Sequence, residues 1–396
     1  MLGLRESDLA AVGVPPGPAW IDVVAEAWEA GAAILPLDHR LPRHEVERMV
    51  SAARPTIVLD RSGITRLRSG LPVNREVGLV VATSGTAGRP KLAELTRGAL
   101  LAAVEASAAR LVASAADRWL CCLPLAHMGG MLLLLRSLLL DAPVTVHPGF
   151  DPSAFERGRS AGATFTSVVP AMLARLLDAG VDLGGFRAIL VGGASLPEEL
   201  AARAGQAGAS IIRTYGLTES CGGVVYEGIP LGGVEVRIAG GAGPRDGDVE
   251  EVLLRGSMVF RGYRLDPEAT EGAYVTGGWL RTGDAGALVD GRLQISGRLD
   301  DLIVTGGEKV WPEEVEALLR RDPAVLEVAV AGRVDPVWGA RVIAYVVPTD
   351  PSSPPSLGRL RSLVEERLAP HKAPRELVLV DALPMTSTEK VRRRAL

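Results

Sequence analysis

Little in this sequence speaks for an extracellular, membrane or nucleic-acid role. There are only three cysteines, Cys121, Cys122 and Cys221. They are too few and too poorly spaced for a disulfide framework or a zinc site, and they point to a reducing, cytoplasmic setting. Neither sign of charge dominates. The net charge is −4, with acids and bases mixed along the chain, so no basic stripe exists to attract nucleic acid. The most apolar stretch, Met131 to Leu140, is interrupted by Arg136 and falls well short of the ~20 residues of a spanning helix. The opening residues carry Arg5, Glu6 and Asp8, unlike a secretory signal. Internal repeats and low-complexity tracts are also missing. What is present is bulk: 396 residues, 47% of them hydrophobic, enough for two or three domains.

From Trp20 to about Thr214, helical patterns alternate with short β-branched runs. Trp20–Ala30 and Arg43–Ala53 read as helices, and Ala32–Leu37 and Thr56–Leu59 as strands. Further strands are expected at Trp119–Leu123, Val144–His147, Thr164–Val168, Ala188–Val191 and Ser210–Arg213. This alternation predicts a layered α/β domain with a mainly parallel sheet, with ligand loops at the carboxyl ends of its strands. After Tyr215, short pieces with Gly turns (Val234–Ile238, Val249–Leu254, Ala287–Val289, Leu293–Ile295) predict an additional antiparallel β region. A compact α+β unit follows from near Asp300. The expected division is a large domain over 1–299 and a small C-terminal one over 300–396.

The strongest local signal is an apolar run, Val77 to Ala82, leading into Thr83-Ser84-Gly85-Thr86-Ala87-Gly88-Arg89-Pro90-Lys91. Small residues let the backbone approach an anion closely. Successive N–H groups and hydroxyls can then hold phosphate oxygens, and the lysine adds charge. The spacing differs from the common P-loop, since only two residues separate Gly85 from Gly88 and Pro90 precedes the lysine. A plain Gly-rich turn before a helix is the alternative.

Seven more motifs follow in order: Leu123-Pro124-Leu125-Ala126-His127-Met128-Gly129-Gly130, Val191-Gly192-Gly193-Ala194, Tyr215-Gly216-Leu217-Thr218-Glu219-Ser220, Gly278 to Asp284, Ser296 to Asp301, Gly306-Gly307-Glu308-Lys309-Val310, and Leu383 to Lys390. In this order they resemble the adenylate-forming superfamily of acyl- and aryl-CoA synthetases, luciferases and peptide-synthetase adenylation domains. The resemblance covers nearly the whole chain from Ala32 onward. It implies a two-step reaction: MgATP and a carboxylic acid give an acyl-adenylate and pyrophosphate, and a thiol, CoA, then displaces AMP.

The same resemblance implies roles. Thr83, Ser84, Gly85, Thr86 and Lys91 would hold the departing phosphates. Gly192, Gly193, Ala194, Tyr215 and Gly216 would line the adenine site, with Thr218 on the α-phosphate and Glu219 as the Mg²⁺ ligand. A single carboxylate suits Mg²⁺ bound mainly by phosphates. Asp284 and Arg298 would contact the nucleotide; from the residues alone, the alternatives are an Asx-turn residue at Asp284 and a surface ion pair at Arg298. Asp300 would be the hinge of a mobile C-terminal domain, and Gly306, Gly307 and Glu308 would line the thiol tunnel. Lys390 would be the catalytic lysine bridging acid and α-phosphate, against the plainer reading of a solvated basic tail. Two departures stand out: Glu389 replaces the usual Gly before that lysine, and Met385 the usual Arg after the proline.

The acid site is implied at His127, Leu217, Ser220, Cys221 and Gly222. The segment Leu217 to Leu231, with the loops at Pro124–Gly130 and Val304–Val310, resembles the compact o-succinylbenzoate–CoA ligases of menaquinone biosynthesis. Arg136, a lone charge in an apolar helix, is a candidate for the distal carboxylate of such a diacid. An adenylating enzyme that loads a carrier protein, and a non-catalytic nucleotide-binding protein, remain alternatives. A homodimer is compatible with the chain, with no interface legible.

Overall fold

The computed structural model describes residues 2–83, 90–240, 249–385 and 391–396. Contacts divide the chain into one unit of Met1–Arg237 with Leu253–Thr282 and a second of Ile238–Val252 with Gly283–Leu396.

The first unit holds two seven-stranded sheets. One runs in the order Gly262–Tyr263, Lys91–Thr96, Val77–Thr83, Ala33–Pro36, Leu9–Val12, Ile57–Asp60, Gly63–Arg66. Its centre is parallel, with Leu9–Val12 pairing in that sense with both neighbours. Its flanks are antiparallel. The two innermost strands, Leu9–Val12 and Ala33–Pro36, are apolar and buried along their whole length, as expected of strands covered on both faces. The other sheet runs Ile229–Pro230, Gly222–Tyr226, Ile211–Leu217, Ala188–Val191, Phe165–Val168, Trp119–Cys121, Val144–Val146. It too is parallel in the middle and antiparallel where Ile211–Leu217 meets Gly222–Tyr226. The alternation of the sequence is therefore realised as two mixed sheets rather than one parallel sheet.

Ring stacking fixes neighbouring strands of the second sheet. Trp119 and Phe165 are paired across the ladder with ring centroids 4.8 Å apart. Phe155, fully buried, packs against Phe186 at 5.5 Å in a cluster with Leu173, Leu176 and Ile189. The Arg97–Leu111 helix starts at Thr96, whose hydroxyl accepts from the Ala99 N–H at 3.1 Å. That bond satisfies one of the free donors of the first turn.

A further sheet has the order Val234–Ile238, Glu250–Gly256, Trp279–Val289, Tyr274–Val275, with Arg292–Arg298 also on Trp279–Val289. The short pieces expected at Ala287–Val289 and Leu293–Ile295 are the tip of this longer hairpin. It turns at Asp290 and Gly291, both with positive φ, which matches the strand twist in tight hairpins.

The second unit contains a sheet ordered Glu308–Val310, Ile303–Thr305, Gly339–Pro348, Val325–Asp335, with Glu376–Leu379 parallel to Gly339–Pro348. Helices Pro312–Leu319 and Leu357–Glu365 contribute Val315, Leu319, Leu360 and Val364 to one core. Val391 and Leu396 join a separate cluster with Ile343, Tyr345 and Leu383. Among the described residues no helix is long and apolar enough to cross a membrane.

Truncating the fully buried Phe155 to Ala should cost about 3–5 kcal/mol through lost burial and an unfilled cavity. Denaturant unfolding of the two chains checks this, with the midpoint falling and the slope unchanged.

Candidate active site

Two paired strands flank the phosphate-loop signal. Val77–Thr83 and Lys91–Thr96 pair antiparallel, with Thr83 opposite Lys91, and the Thr83 hydroxyl donates to the Lys91 carbonyl at 3.5 Å. Ser84, Gly85 and Thr86 lie outside the described residues. The strand after the loop was not legible in the sequence. Lys91 is exposed, and its Nζ lies 4.9 Å from the centroid of the Tyr263 ring, within cation–π range.

Tyr263 joins two distant motifs, because its hydroxyl also donates to Glu219 Oε1 at 2.8 Å. The residues on either side hold it in place. Arg261 Nη1 lies 3.0 Å from Glu94 Oε2, and Arg264 Nη1 lies 3.2 Å from Glu94 Oε1. Arg264 and Glu94 are both buried, and Arg264 donates further to the carbonyls of Ala53, Leu71 and Pro72. A buried ion pair is tolerated when its remaining donors are satisfied in this way. Phe260 adds an edge-on ring contact to Tyr263 at 4.8 Å, and its N–H donates to the Glu219 carbonyl at 2.7 Å.

Glu219 lies on a short 3₁₀ turn, Thr218–Ser220, at the carboxyl end of the Ile211–Leu217 strand. The Leu217 N–H donates to Ser220 Oγ at 3.0 Å, and Ser220 Oγ lies 3.1 and 3.0 Å from the carbonyls of Leu217 and Gly222. Ser220 thus spends its hydroxyl inside the turn, and Cys221 is buried behind it. Gly216 is required here, since a Cβ would stand 1.9 Å from the Gly222 carbonyl oxygen. Tyr215, Leu217, Thr218 and Glu219 remain half-buried along this edge.

His127 precedes the Met128–Leu140 helix. Leu132 of that helix packs so closely on Gly222 that a Cβ there would lie 2.6 Å from its methyl. The helix after His127 and the turn after Glu219 therefore share one wall. Nearby Asp38 is buried and bound by Arg40 at 2.9 and 2.7 Å. Burial alone would raise the Asp38 carboxyl, but the Arg40 hydrogen bonds and the nearby His127 hold it below its usual range. Gly192, Gly193 and Ala194 leave the carboxyl end of Ala188–Val191, half-exposed to exposed.

Arg136 is fully enclosed. Its Nη2 donates to Ser107 Oγ at 2.8 Å and to the Tyr226 hydroxyl at 3.3 Å, and its guanidinium lies 4.8 Å from the Trp119 ring centroid.

In the second unit, Asp284 and Arg298 face each other in the hairpin register and form an ion pair at 2.8 Å. Asp300 is exposed on the turn Leu299–Asp301, and Gly306 and Gly307 form the exposed bend between two strands, the second of which opens on exposed Glu308. Lys390 lies outside the described residues, between Met385 and Val391, which bridge each other antiparallel. Sequence reasoning missed Tyr263, Glu94, Arg264 and Arg393. Only the chemistry of Phe260-Arg261-Gly262-Tyr263, aromatic and basic beside a glycine, could have singled out the first.

All three thiols are buried and free. Burial pushes Cys121 up to about 12 and raises Cys122 and Cys221 as well. At pH 8 the folded protein should react with an aromatic disulfide reagent only as fast as it unfolds. Addition of denaturant should release three thiols at once, and rapid labelling of the folded chain would contradict this burial.

Residues 72–264 match the AMP-binding enzyme family and residues 314–390 the AMP-binding enzyme C-terminal domain. The chain is 37% identical over 368 residues to a probable 2-succinylbenzoate–CoA ligase of Mycobacterium tuberculosis, with 89% of this chain and 93% of that one covered. It is 36% identical over 362 residues to an indoleacetate–CoA ligase of Aromatoleum aromaticum, with 85% and 70% covered. The o-succinylbenzoate CoA synthetase of Bacillus subtilis in complex with the acyl-adenylate intermediate OSB-AMP superposes with a TM-score of 0.90 at 28% identity, covering 99% of this chain and 88% of that one. The same enzyme in complex with ATP and magnesium ion superposes at 0.87, with 28% identity and coverages of 99% and 90%.

Proposed function

Because the chain belongs to the AMP-binding enzyme family, we propose that it is an ATP-dependent acid–CoA ligase whose acid is o-succinylbenzoate. The observation that carries the reading is the meeting of Lys91 and Glu219 across Tyr263. A cation at the end of a phosphate-binding loop and a lone carboxylate at a strand end are brought to one edge of the first unit. This is what a site for a metal-bound triphosphate needs. The similarity to 2-succinylbenzoate–CoA ligases over nearly the full length of both chains supports the choice of acid.

In the first step a carboxylate oxygen of the acid attacks the α-phosphorus, and the bond to the β-phosphate oxygen breaks to release pyrophosphate. Thr83, Ser84, Gly85, Thr86 and Lys91 would hold the phosphates that leave. Tyr215 would stack on adenine beside Gly192, Gly193, Ala194 and Gly216, and Thr218 would reach the α-phosphate. Among the described residues no three His, Cys, Asp or Glu side chains gather as a metal site. One oriented carboxylate, Glu219, fits Mg²⁺, which takes its other ligands from phosphate and water. The ion would neutralise phosphate charge when bound.

Lys390 would draw the two anions together, and Asp284 and Arg298 would contact the nucleotide. In the second step the CoA thiol attacks the acyl carbon and AMP leaves. Gly306, Gly307 and Glu308 would line its approach after a turn about Asp300. His127, Leu217, Ser220, Cys221 and Gly222 would form the wall of the acid pocket, the last three through backbone and packing. We place the activity in the cytoplasm and the protein in a homodimer, symmetric pairs being the commonest assemblies.

A pyrophosphate-release screen decides the substrate. The expected result is the highest kcat/KM with o-succinylbenzoate, followed by acyl-CoA formation with free CoA. A preference for indoleacetate or another monocarboxylic acid would refute the choice of acid, and adenylate formation without acyl-CoA would point to a carrier protein as acceptor.

The Tyr263–Glu219 bond gives a second test. Removing an outer hydrogen-bond partner of a metal ligand typically weakens metal affinity about 10–100-fold. Tyr263→Phe should therefore raise the Mg²⁺ concentration at half-maximal adenylation by about 10-fold, and Glu219→Gln by more. Unchanged Mg²⁺ titrations for both variants would remove Glu219 from the metal site.

A further inference from the structure

The residues after Lys390 are not a solvated tail. Val391 and Leu396 pack into an apolar cluster, and the Arg392 N–H donates to the Pro384 carbonyl at 2.7 Å. Together with the Met385–Val391 bridge, this fixes the chain directly after Lys390. Arg393 adds a different kind of contact. Its guanidinium meets three carboxylates: Asp301 Oδ2 at 3.2 Å, Glu313 Oε1 at 3.1 Å and Glu316 Oε1 at 2.7 Å. Its Nε also donates to the Val330 carbonyl at 3.2 Å. Its side chain is only 16% exposed and that of Glu316 only 4%.

These acids come from two places. Glu313 and Glu316 lie on the Pro312–Leu319 helix, and Asp301 ends the Leu299–Asp301 turn. Glu316 is partly compensated by Arg320 at 3.0 Å and accepts from the Val330 N–H at 2.8 Å. Burial raises the Glu313 carboxyl, and the neighbouring Glu316 and Asp301 add to the rise, while Arg393 opposes it. The turn is built around the same acid. A Cβ on Gly297, at φ +153°, would stand 2.6 Å from Glu313 Oε2, so the Ser296-Gly297-Arg298 motif has a glycine where Glu313 occupies the space.

We propose that Arg393 is a positioning residue acting through Lys390: its three-carboxylate contact fixes the chain three residues after Lys390 to the Leu299–Asp301 turn and the Pro312–Leu319 helix. Three residues of chain span at most about 10 Å, so anchoring Arg393 confines the backbone of Lys390 to that radius. A planar, multiply donating guanidinium suits three acceptors in a way a point-charge ammonium does not. The inference rests on the reading of Lys390 as the lysine of the adenylation step.

The test uses the full chain with Arg393→Gln and Arg393→Lys, and Lys390→Ala as a benchmark. Adenylation is followed by pyrophosphate release with o-succinylbenzoate, and thioester formation by supplying the preformed acyl-adenylate with CoA. Misplacing a reacting group by about 1 Å costs on the order of 100-fold. Adenylation kcat should therefore fall about 10- to 100-fold in Arg393→Gln, with KM for ATP and acid changed less than about threefold. Thioester formation should stay within about threefold of the unsubstituted chain, and Arg393→Lys should fall between. Equal losses in both half-reactions, or in folded content, would make Arg393 a stability residue and overturn the proposal. Unchanged adenylation would also overturn it, leaving Val391 and Leu396 to hold the segment alone. No pyrophosphate release from the unsubstituted chain with any acid would instead remove the reading on which the proposal rests.

Discussion

A buried carboxylate gripped from two sides governs the geometry of the first unit's candidate site. Glu94 lies inside the sheet, and Arg261 and Arg264 reach it from either side of the two-residue strand Gly262–Tyr263. Arg264 would be costly to bury alone. It is tolerated because Glu94 and three backbone carbonyls take up its donors. The strand between the two arginines thereby gains a fixed register, and Tyr263 projects where Lys91 and Glu219 can both reach it. Glu219 and Lys91 are thus brought to one ring by a clamp that touches neither.

The same economy of charge recurs in the second unit with the signs exchanged. There one guanidinium, Arg393, collects three acids. Asp284 and Arg298 neutralise each other at 2.8 Å across the hairpin. A nucleotide contacting either of these two would meet a side chain already oriented by its partner. Such prior orientation reduces the ordering cost that binding would otherwise carry.

What the sequence revealed depended on how local the cause was. The Arg43–Ala53 helix and the Ala188–Val191 strand were legible to the residue, because periodicity and burial agree over those spans. The Lys91–Thr96 strand was not. It opens on a charged residue directly after a loop, and its partner is the strand before that loop. The Trp279–Val289 and Arg292–Arg298 strands were read only at their apolar tips, since Thr282, Gly283, Asp284 and Gly297 look like turn residues in isolation. The motif residues of the site stood out because their chemistry is unusual for their surroundings. The clamp that positions them did not, because Glu94 and Arg264 are 170 residues apart and each is unremarkable alone.

The interior placement of every thiol carries a consequence for the chemistry of an activated acyl group. An acyl-adenylate is a mixed anhydride, open to any sulfur nucleophile within reach. Cys121, Cys122 and Cys221 are enclosed and held protonated by burial, and only the thiolate attacks at a useful rate. The folded chain therefore offers no thiolate of its own to intercept such an intermediate, and self-acylation at cysteine is closed to it.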